Sequence, residues 1–163
     1  GRVGRALAAK ARGFDMKVHY FNRTALSEDD AKGAIYHDTL ESLLSVADFL
    51  SLHCPATAET TNLMDKKRFN LLPKGAVIVN SARGALIDEA ALMRALDARQ
   101  ISAAGLDCFA IEPGGNPGFS SYDNIFMLPH IGSATKQTRD ALVSLSLAHL
   151  DVSCAGQKPR DTL

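Results

Sequence analysis

The sequence has little of what several classes of protein require. Its 163 residues carry 18 Lys and Arg against 18 Asp and Glu, so there is no net charge, and the longest basic run is Lys66–Arg68. Proteins that bind nucleic acid through surface charge normally show a strong basic excess. No apolar stretch approaches the ~20 residues that a membrane-spanning helix needs. We therefore expect neither nucleic acid nor a membrane as a partner.

Cysteine is also scarce. Cys54, Cys108 and Cys154 lie far apart, with no C-x-x-C pair. This spacing suggests neither a zinc site nor a disulfide framework, and free thiols are typical of the reducing cytoplasm, where we expect the protein to be. A catalytic role for Cys108 is conceivable, but a small apolar side chain at the end of a buried strand is the favoured interpretation.

The chain also begins without an initiator Met, a signal peptide or a polar leader, because Gly1 to Gly4 lead directly into an amphipathic segment. We expect from this that the chain is a piece of a longer protein.

Apolar patterns and capping residues predict an alternation of strands and helices. The continuous apolar run GAVIVN at 75–80 is typical of a strand covered on both faces. The alternation predicts an α/β fold, a Rossmann-like doubly wound parallel sheet with helices on both faces. The predicted strands are 16–21, 49–52, 75–80, 101–106 and 125–128, and the predicted helices are 6–12, 38–47 (capped by Asp38), 66–71, 88–98 (capped by Asp88) and 135–155.

The segment Gly1-Arg2-Val3-Gly4 has the spacing of the last two glycines in a G-x-G-x-x-G phosphate-binding turn. In such a turn the backbone approaches a pyrophosphate, and the following helix N-terminus attracts its charge. Alone, G-x-x-G is a weak signal that also suits a simple capping turn. The helix that follows, with a strand about twenty residues on, strengthens the interpretation of Gly1, Arg2 and Val3 as cofactor contacts.

The strand after that helix ends in Asn22-Arg23-Thr24, where an acidic residue would select NAD. Asn22 carries no charge, and Arg23 is able to pair with a 2′-phosphate. The sequence therefore favours NADP(H) over NAD(H), although Arg23 also suits a solvated turn. We assign Asn22, Arg23 and Thr24 to the cofactor site.

Three later strands end in residues that can carry chemistry. VIVNSA leads to Arg83, ISAAGL to Asp107 and IFMLP to His130, while Glu112 follows Asp107 by a short loop. Carboxyl ends of parallel strands share one edge, where ligands bind. Each residue alone has an ordinary alternative: a cap, an ion pair with Asp88, a satisfied histidine or a surface carboxylate. Together they favour a catalytic set. His53, at the end of another strand, receives no chemical role.

These segments carry a family resemblance. VNSARGALIDEAALMRAL, AAGLDCFAIEP and LPHIGSAT resemble signatures of the D-isomer-specific 2-hydroxyacid dehydrogenases, and HYFNRT is most similar to their glyoxylate/hydroxypyruvate reductase branch. The resemblance implies that Arg83 binds the substrate carboxylate, His130 is the acid/base and Glu112 is its partner. It further implies cofactor contacts from six residues and from the glycine of LPHIGSAT: Cys54, Pro55, Thr60, Ser81, Ala82, Asp107 and Gly132.

The physical logic of this family suits the residues. Hydride transfer to a 2-keto acid develops negative charge on the carbonyl oxygen, which a protonated histidine can neutralise. A neighbouring carboxylate favours that protonated form, and a guanidinium binds a planar carboxylate with two hydrogen bonds. The resemblance implies a small 2-keto or 2-hydroxy acid as substrate and a homodimer as the complete form. It also implies an incomplete dinucleotide-binding domain over 1–135, which lacks the first glycine of the phosphate turn and the central strand before it, and a helix and tail over 136–163 that pack toward a substrate domain. Backbone groups beside that strand would lose their partners, so the chain alone is expected to be unstable or prone to aggregation, and inactive. A nucleotide-sensing interaction protein, similar to the family's co-repressors, is the alternative.

Overall fold

The computed structural model describes residues 1–159, which form two units. The first unit spans Gly1–Pro129, and the second begins at His130. The second unit contains one long helix. The last four residues of the predicted C-terminal segment 136–163 lie outside the described residues.

The described elements alternate as the sequence predicts. Each helix is followed by a strand through most of the first unit, apart from the last strand, which a short 3₁₀ turn at Pro117–Ser121 precedes. In chain order the elements are α1 (Arg2–Arg12), β1 (His19–Tyr20), α2 (Glu28–Ala31), β2 (Ile35–Tyr36), α3 (Leu40–Leu44), β3 (Phe49–Leu52), α4 (Lys66–Phe69), β4 (Ala76–Asn80), α5 (Glu89–Asp97), β5 (Ile101–Leu106), β6 (Ile125–Met127) and α6 (Lys136–Cys154).

All strand pairs are parallel, which confirms the predicted α/β architecture. Strands β3, β4, β5 and β6 form one sheet in that order, and β1 pairs with β2 in a second sheet. Within residues 1–159, β1 and β3 are each paired along one edge. In a doubly wound sheet of order 3-2-1-4-5-6, the strand that precedes the phosphate-binding turn lies between these two groups.

The core lies on one face of the four-stranded sheet, against α3, α4 and α5. One row across the sheet, Leu50, Ile78, Ala104 and Ile125, is buried. This alternation is what half-covered strands show. The helices contribute large side chains with almost no exposure, namely Leu44, Phe69, Leu92 and Leu96.

The prediction that 75–80 is covered on both faces was wrong for the described part of the chain. Val79 is 39% exposed, and Phe126, two strands across in the same row, is 68% exposed. The reason is that the three core helices pack on the other face, while α1 contributes no buried residue within residues 1–159. The apolar run therefore indicates that both faces of the strand are apolar, but it does not indicate that another element packs on each face.

Helix starts differ from prediction where the cap was misidentified. Helix α1 begins at Arg2 rather than at residue 6, with Gly1 as its N-cap, so the predicted phosphate turn is the helix's own first turn. Thr39, not Asp38, caps α3 by accepting from the Ser42 N–H. Asp88 caps α5 as predicted, because its carboxylate accepts from the Ala91 N–H at 2.9 Å.

Candidate functional site

A cleft of about 330 Å³ lies at the carboxyl edge of the sheet. It is bounded by the first turn of α1 and by the segments that follow β3 and β4. All its lining residues except His53 were predicted as site residues from the sequence. They are Val3, His53, Cys54, Pro55, Ser81, Ala82 and Arg83.

The start of α1 contributes backbone groups to this region. The Gly1 carbonyl accepts the Arg5 N–H at 3.1 Å, while the N–H groups of the first turn have no partner within a helix. A side chain at Gly4 would stand 3.4 Å from the His53 ring, in close contact with the end of β3. Gly1 has open space around its Cα among the described residues. A phosphate group would find free N–H donors here.

His53 is a cleft residue that the sequence analysis left without a role. Its Nε2 lies 3.0 Å from the Ser51 hydroxyl, which fixes the ring beside Gly4. Burial holds the pKa of His53 below its usual range. The ring is therefore neutral around neutral pH. The sequence signal that could have identified His53 as a cleft residue is its position at the end of a strand.

The predicted ribose-binding residues lie outside the cleft lining. Asn22 donates from its amide to the Thr24 carbonyl at 3.2 Å, and the Tyr36 hydroxyl donates to the Asn22 carbonyl at 3.5 Å. These bonds shape the turn after β1. Arg23 is exposed and forms no ion pair with any residue between 1 and 159. Its guanidinium is consequently available to an anion from solvent.

The loop after β3 is folded by a threonine. The Thr60 hydroxyl accepts from the Thr57 N–H at 2.8 Å and donates to the Pro55 carbonyl at 2.7 Å. Pro55 and Cys54 line the cleft, whereas Thr60 does not. Thr60 therefore acts on the cleft through the loop that it closes.

Asn80, which the sequence analysis missed, has a buried side chain that holds the loop after β4 and a backbone carbonyl that connects it to the end of β5. Its amide accepts from the Ala82 N–H at 3.1 Å and donates to the Arg83 carbonyl at 2.9 Å. Its backbone carbonyl accepts from the Asp107 N–H at 3.0 Å. An asparagine that ends an apolar strand is the sequence signal that could have identified it. These bonds set the path of the chain through Arg83.

A close backbone contact reinforces this junction. Gly84 is buried, and a Cβ atom there would overlap the carbonyl group of Phe109. Only glycine permits that approach. The loop that carries Arg83 is thereby pressed against the loop that carries Asp107 and Glu112.

Three predicted site residues affect the pKa of one thiol at this junction. Burial raises the pKa of Cys108 to about 11, helped by the negative charges of Glu112 and Asp107 and opposed by Arg83. The sequence interpretation of Cys108 as a buried small residue agrees with its position. Arg83 lies at the cleft wall, and its guanidinium donates to the Ala82 carbonyl at 2.6 Å. Asp88, which the sequence offered as an ion-pair partner for Arg83, has its carboxylate 3.9 Å from Arg94 instead.

Glu112 is exposed on the loop after β5, and its carboxylate accepts from the Phe109 N–H at 2.8 Å. His130 opens the second unit and is exposed, with a left-handed backbone (φ 55°) that non-glycine residues seldom adopt. Gly132 follows in the same exposed segment. The pairing of His130 with Glu112 stays a prediction, as does cofactor contact by Gly132.

Two further features bear on the class of protein. Between residues 1 and 159, no three His, Cys, Asp or Glu side chains gather as metal ligands would. No helix in this range has the length and apolarity needed to cross a membrane.

Comparison with known proteins decides the family. The sequence model described as "D-isomer specific 2-hydroxyacid dehydrogenase, NAD binding domain" matches residues 1–132. The chain belongs to this family. The family resemblance is thereby confirmed, and the matched residues form an NAD-binding domain. Roles of individual residues are a separate matter.

Named relatives of the family are reductases and dehydrogenases of small acids. The chain is 45% identical over 142 residues to a glycerate dehydrogenase of Hyphomicrobium methylovorum and 41% identical over 160 residues to a glyoxylate reductase of Thermococcus litoralis. These alignments take in 86% and 98% of the chain but 44% and 48% of the relatives. The chain therefore spans about half the length of the curated relatives it matches.

A solved structure gives the same fold. The NADPH-dependent glyoxylate/hydroxypyruvate reductase SMc04462 from Sinorhizobium meliloti, in complex with NADP and malonate, superposes with a TM-score of 0.88 at 34% identity. The match covers 93% of this chain and 47% of that one. The Rossmann-like domain is thus shared along nearly all of the chain.

Replacing Gly84 by alanine tests the junction. The new Cβ would overlap the Phe109 carbonyl carbon, so the substitution should lower the free energy of unfolding by about 3 kcal/mol or prevent folding. Gly105→Ala is the matched control, because its Cβ would meet Val79 at an ordinary 3.7 Å. Denaturant unfolding of the whole protein measures both. Equal stability of the two variants would contradict the close approach.

The raised pKa of Cys108 predicts a pH dependence of thiol reactivity. Only the thiolate reacts with iodoacetamide, so Cys108 should stay unmodified at about pH 8 and react only as the pH approaches 11. The exposed Cys154 is the internal control. Mass spectrometry of the folded protein reads both sites. Equal alkylation of the two at the lower pH would show that Cys108 is neither buried nor flanked by carboxylates.

Proposed function

We propose that the whole protein is an NAD(P)H-dependent reductase of small 2-keto acids, of glyoxylate or hydroxypyruvate type. The observation that carries the proposal is the cleft at the carboxyl edge of the sheet. There the first turn of α1 meets the segments after β3 and β4, with Arg83 at its wall. Relatives named glyoxylate reductase and glycerate dehydrogenase support the substrate class.

The residues present suit a dinucleotide. The N–H groups at the start of α1 would hold the phosphates through Gly1, Arg2 and Val3. Cys54, Pro55, Ser81 and Ala82 would line the nicotinamide end, with Thr60 fixing the loop. The family resemblance adds Asp107 and Gly132 as cofactor contacts. The bound cofactor supplies the hydride.

We propose NADP(H) as the preferred cofactor. The turn after β1 holds a neutral Asn22 and an Arg23 whose guanidinium has no ion-pair partner among residues 1–159. A 2′-phosphate offers such a guanidinium two hydrogen bonds. Thr24 would complete this end of the site. The Sinorhizobium meliloti reductase, described as NADPH-dependent, is a relative with the same fold.

The chain's own residues would do the acid/base work. Arg83 would bind the keto acid through its planar carboxylate. His130 would donate its proton to the carbonyl oxygen as charge develops there, and Glu112 would favour the protonated imidazole. In the reverse direction His130 would accept the proton of the 2-hydroxyl group.

The proposal extends to the state of the whole protein. We propose a homodimer in the cytoplasm, on the family resemblance and on the free thiols of Cys54, Cys108 and Cys154. Small acids are its partners in this proposal, and neither nucleic acid nor membrane is needed.

Turnover of glyoxylate and hydroxypyruvate by the whole protein tests the function. Oxidation of NADPH or NADH should follow keto-acid concentration, and His130→Gln should lower kcat by about 10³-fold while the cofactor still binds. His149→Gln, in α6, is the control and should keep wild-type rates. Cofactor binding without turnover of either acid would favour a nucleotide-sensing protein. An unaltered kcat in His130→Gln would remove the acid/base assignment.

Cofactor choice is tested at Arg23. Arg23→Ser should raise KM for NADPH by roughly 10-fold or more and leave KM for NADH within about twofold, since the lost contact is with the 2′-phosphate. Lys32→Ser, which removes an exposed cation elsewhere in this unit, is the control. A wild-type preference for NADH, or an equal change in both KM values, would contradict the assignment.

A further inference from the structure

The loop that carries Glu112 is held by a side chain outside the cleft. Glu89 is the first residue of α5, and its Oε1 accepts from the Ala110 N–H at 2.9 Å. Its Oε2 accepts from the Asn116 side-chain amide at 3.0 Å. One carboxylate thus fastens the loop at two points, one before and one after Glu112.

The two ends of this connection differ in how firmly they are held. Helix α5 is capped by Asp88 and buries Leu92 and Leu96 in the core. The loop from Ala110 to Gly114 is exposed throughout. An exposed loop has few contacts of its own to fix its path, so bonds to a core helix decide where it lies.

Asn116 has both ends of its amide engaged. Its Nδ2 donates to Glu89, and its Oδ1 accepts from the Gly118 N–H at 2.9 Å, which caps the 3₁₀ turn at Pro117–Ser121. The amide cannot be turned over without losing both bonds. Asn116 therefore presents a donor to Glu89, and Ala110 presents another.

We propose that Glu89 and Asn116 form a clamp that positions Glu112 for its work with the acid/base histidine. The inference rests on the proposed function of Glu112. Glu89 acts as a positioning residue, because its carboxylate contacts the loop and not the substrate. Glu112 itself accepts from the Phe109 N–H at 2.8 Å, the amide next to the one that Glu89 binds. A shift of this loop backbone would carry Glu112 with it, whereas Glu89 stays with α5 and holds the backbone in place.

A carboxylate is required at position 89 because both of its partners are donors. Glutamine offers one acceptor and one donor, so in Glu89→Gln one of the two bonds is lost whichever way the amide is turned. Adding Asn116→Asp restores the pattern. The introduced glutamine then accepts from the Ala110 N–H and donates to the introduced aspartate, whose other oxygen accepts from the Gly118 N–H. The double variant also keeps the net charge of the pair.

The experiment compares Glu89→Gln, the double variant and the wild-type whole protein in keto-acid reduction. Glu89→Gln should lower kcat by roughly 10- to 100-fold, with KM for the keto acid within about threefold, because misplacement by about 1 Å carries such a cost. The double variant should recover most of kcat. Glu41→Gln, which removes an exposed ion-pair partner of Arg68 in α3, is the control.

The pH profile separates positioning from mere stability. Reduction needs the protonated histidine, so a displaced Glu112 should move the basic limb of the kcat profile to lower pH in Glu89→Gln. The double variant should return the limb to its wild-type place. If Glu89→Gln fails to fold, Asn116→Ala removes one arm of the clamp and gives the same comparison.

Amide hydrogen exchange of the segment 108–113 gives a readout independent of activity. The Ala110 N–H should exchange faster in Glu89→Gln, because a loop with one bond to α5 instead of two opens more often, and it should return to wild-type protection in the double variant. If the wild type reduces no keto acid, the proposed function fails and exchange alone tests the clamp. If the wild type is active and Glu89→Gln keeps its kcat and pH profile, the clamp is overturned while the proposed function stands.

Discussion

One buried amide, the side chain of Asn80, holds the chain where the proposed chemistry is arranged. It satisfies the Ala82 N–H and the Arg83 carbonyl, while its own backbone carbonyl receives the Asp107 N–H. Buried polar groups without partners are costly, so this set of bonds permits only a narrow range of loop paths. The position of Arg83 at the cleft wall therefore depends on Asn80, which is only 1% exposed.

The contact between the loops after β4 and β5 also determines the surroundings of the charged side chains. Gly84 lets the two loops touch, and Glu89 and Asn116 hold the far side of the second loop. The thiol of Cys108 is buried at this junction, and its raised pKa keeps it neutral around neutral pH. Asp107 is buried as well, but Arg83 and Glu112 stand at the solvent edge, where they need no costly desolvation before a ligand arrives. A cofactor and a keto acid would exclude water from these charged groups when they bind.

Local patterns predicted much of the fold. Strands β3 and β5 have the bounds that their apolar runs indicate, and α5 starts where Asp88 caps it. The short strand β2 was missed, because two residues carry no period. The covering of β4 was predicted wrongly, because an apolar row tells which side chains avoid water and not what packs on them.

The candidate site was predictable in part, since Arg83, Asp107 and Glu112 follow strand ends that parallel pairing brings to one edge. Glu89 was missed because it contacts Ala110 and Asn116 across 21 and 27 residues of sequence, a distance that no spacing rule covers. Asn80 was missed although its side chain bonds residues only two and three positions on, because the apolar run drew attention to the residues that follow it.

The most direct test is a crystal structure of the whole protein with NADPH and oxalate, a stable analogue of a 2-keto acid. The account predicts that the Arg83 guanidinium binds the oxalate carboxylate with two hydrogen bonds, with the His130 ring between the oxalate oxygen and Glu112. The Asn80 bonds to Ala82 and Arg83 should be unchanged. Oxalate bound away from Arg83, or a Glu112 that faces solvent while His130 contacts the ligand, would contradict it.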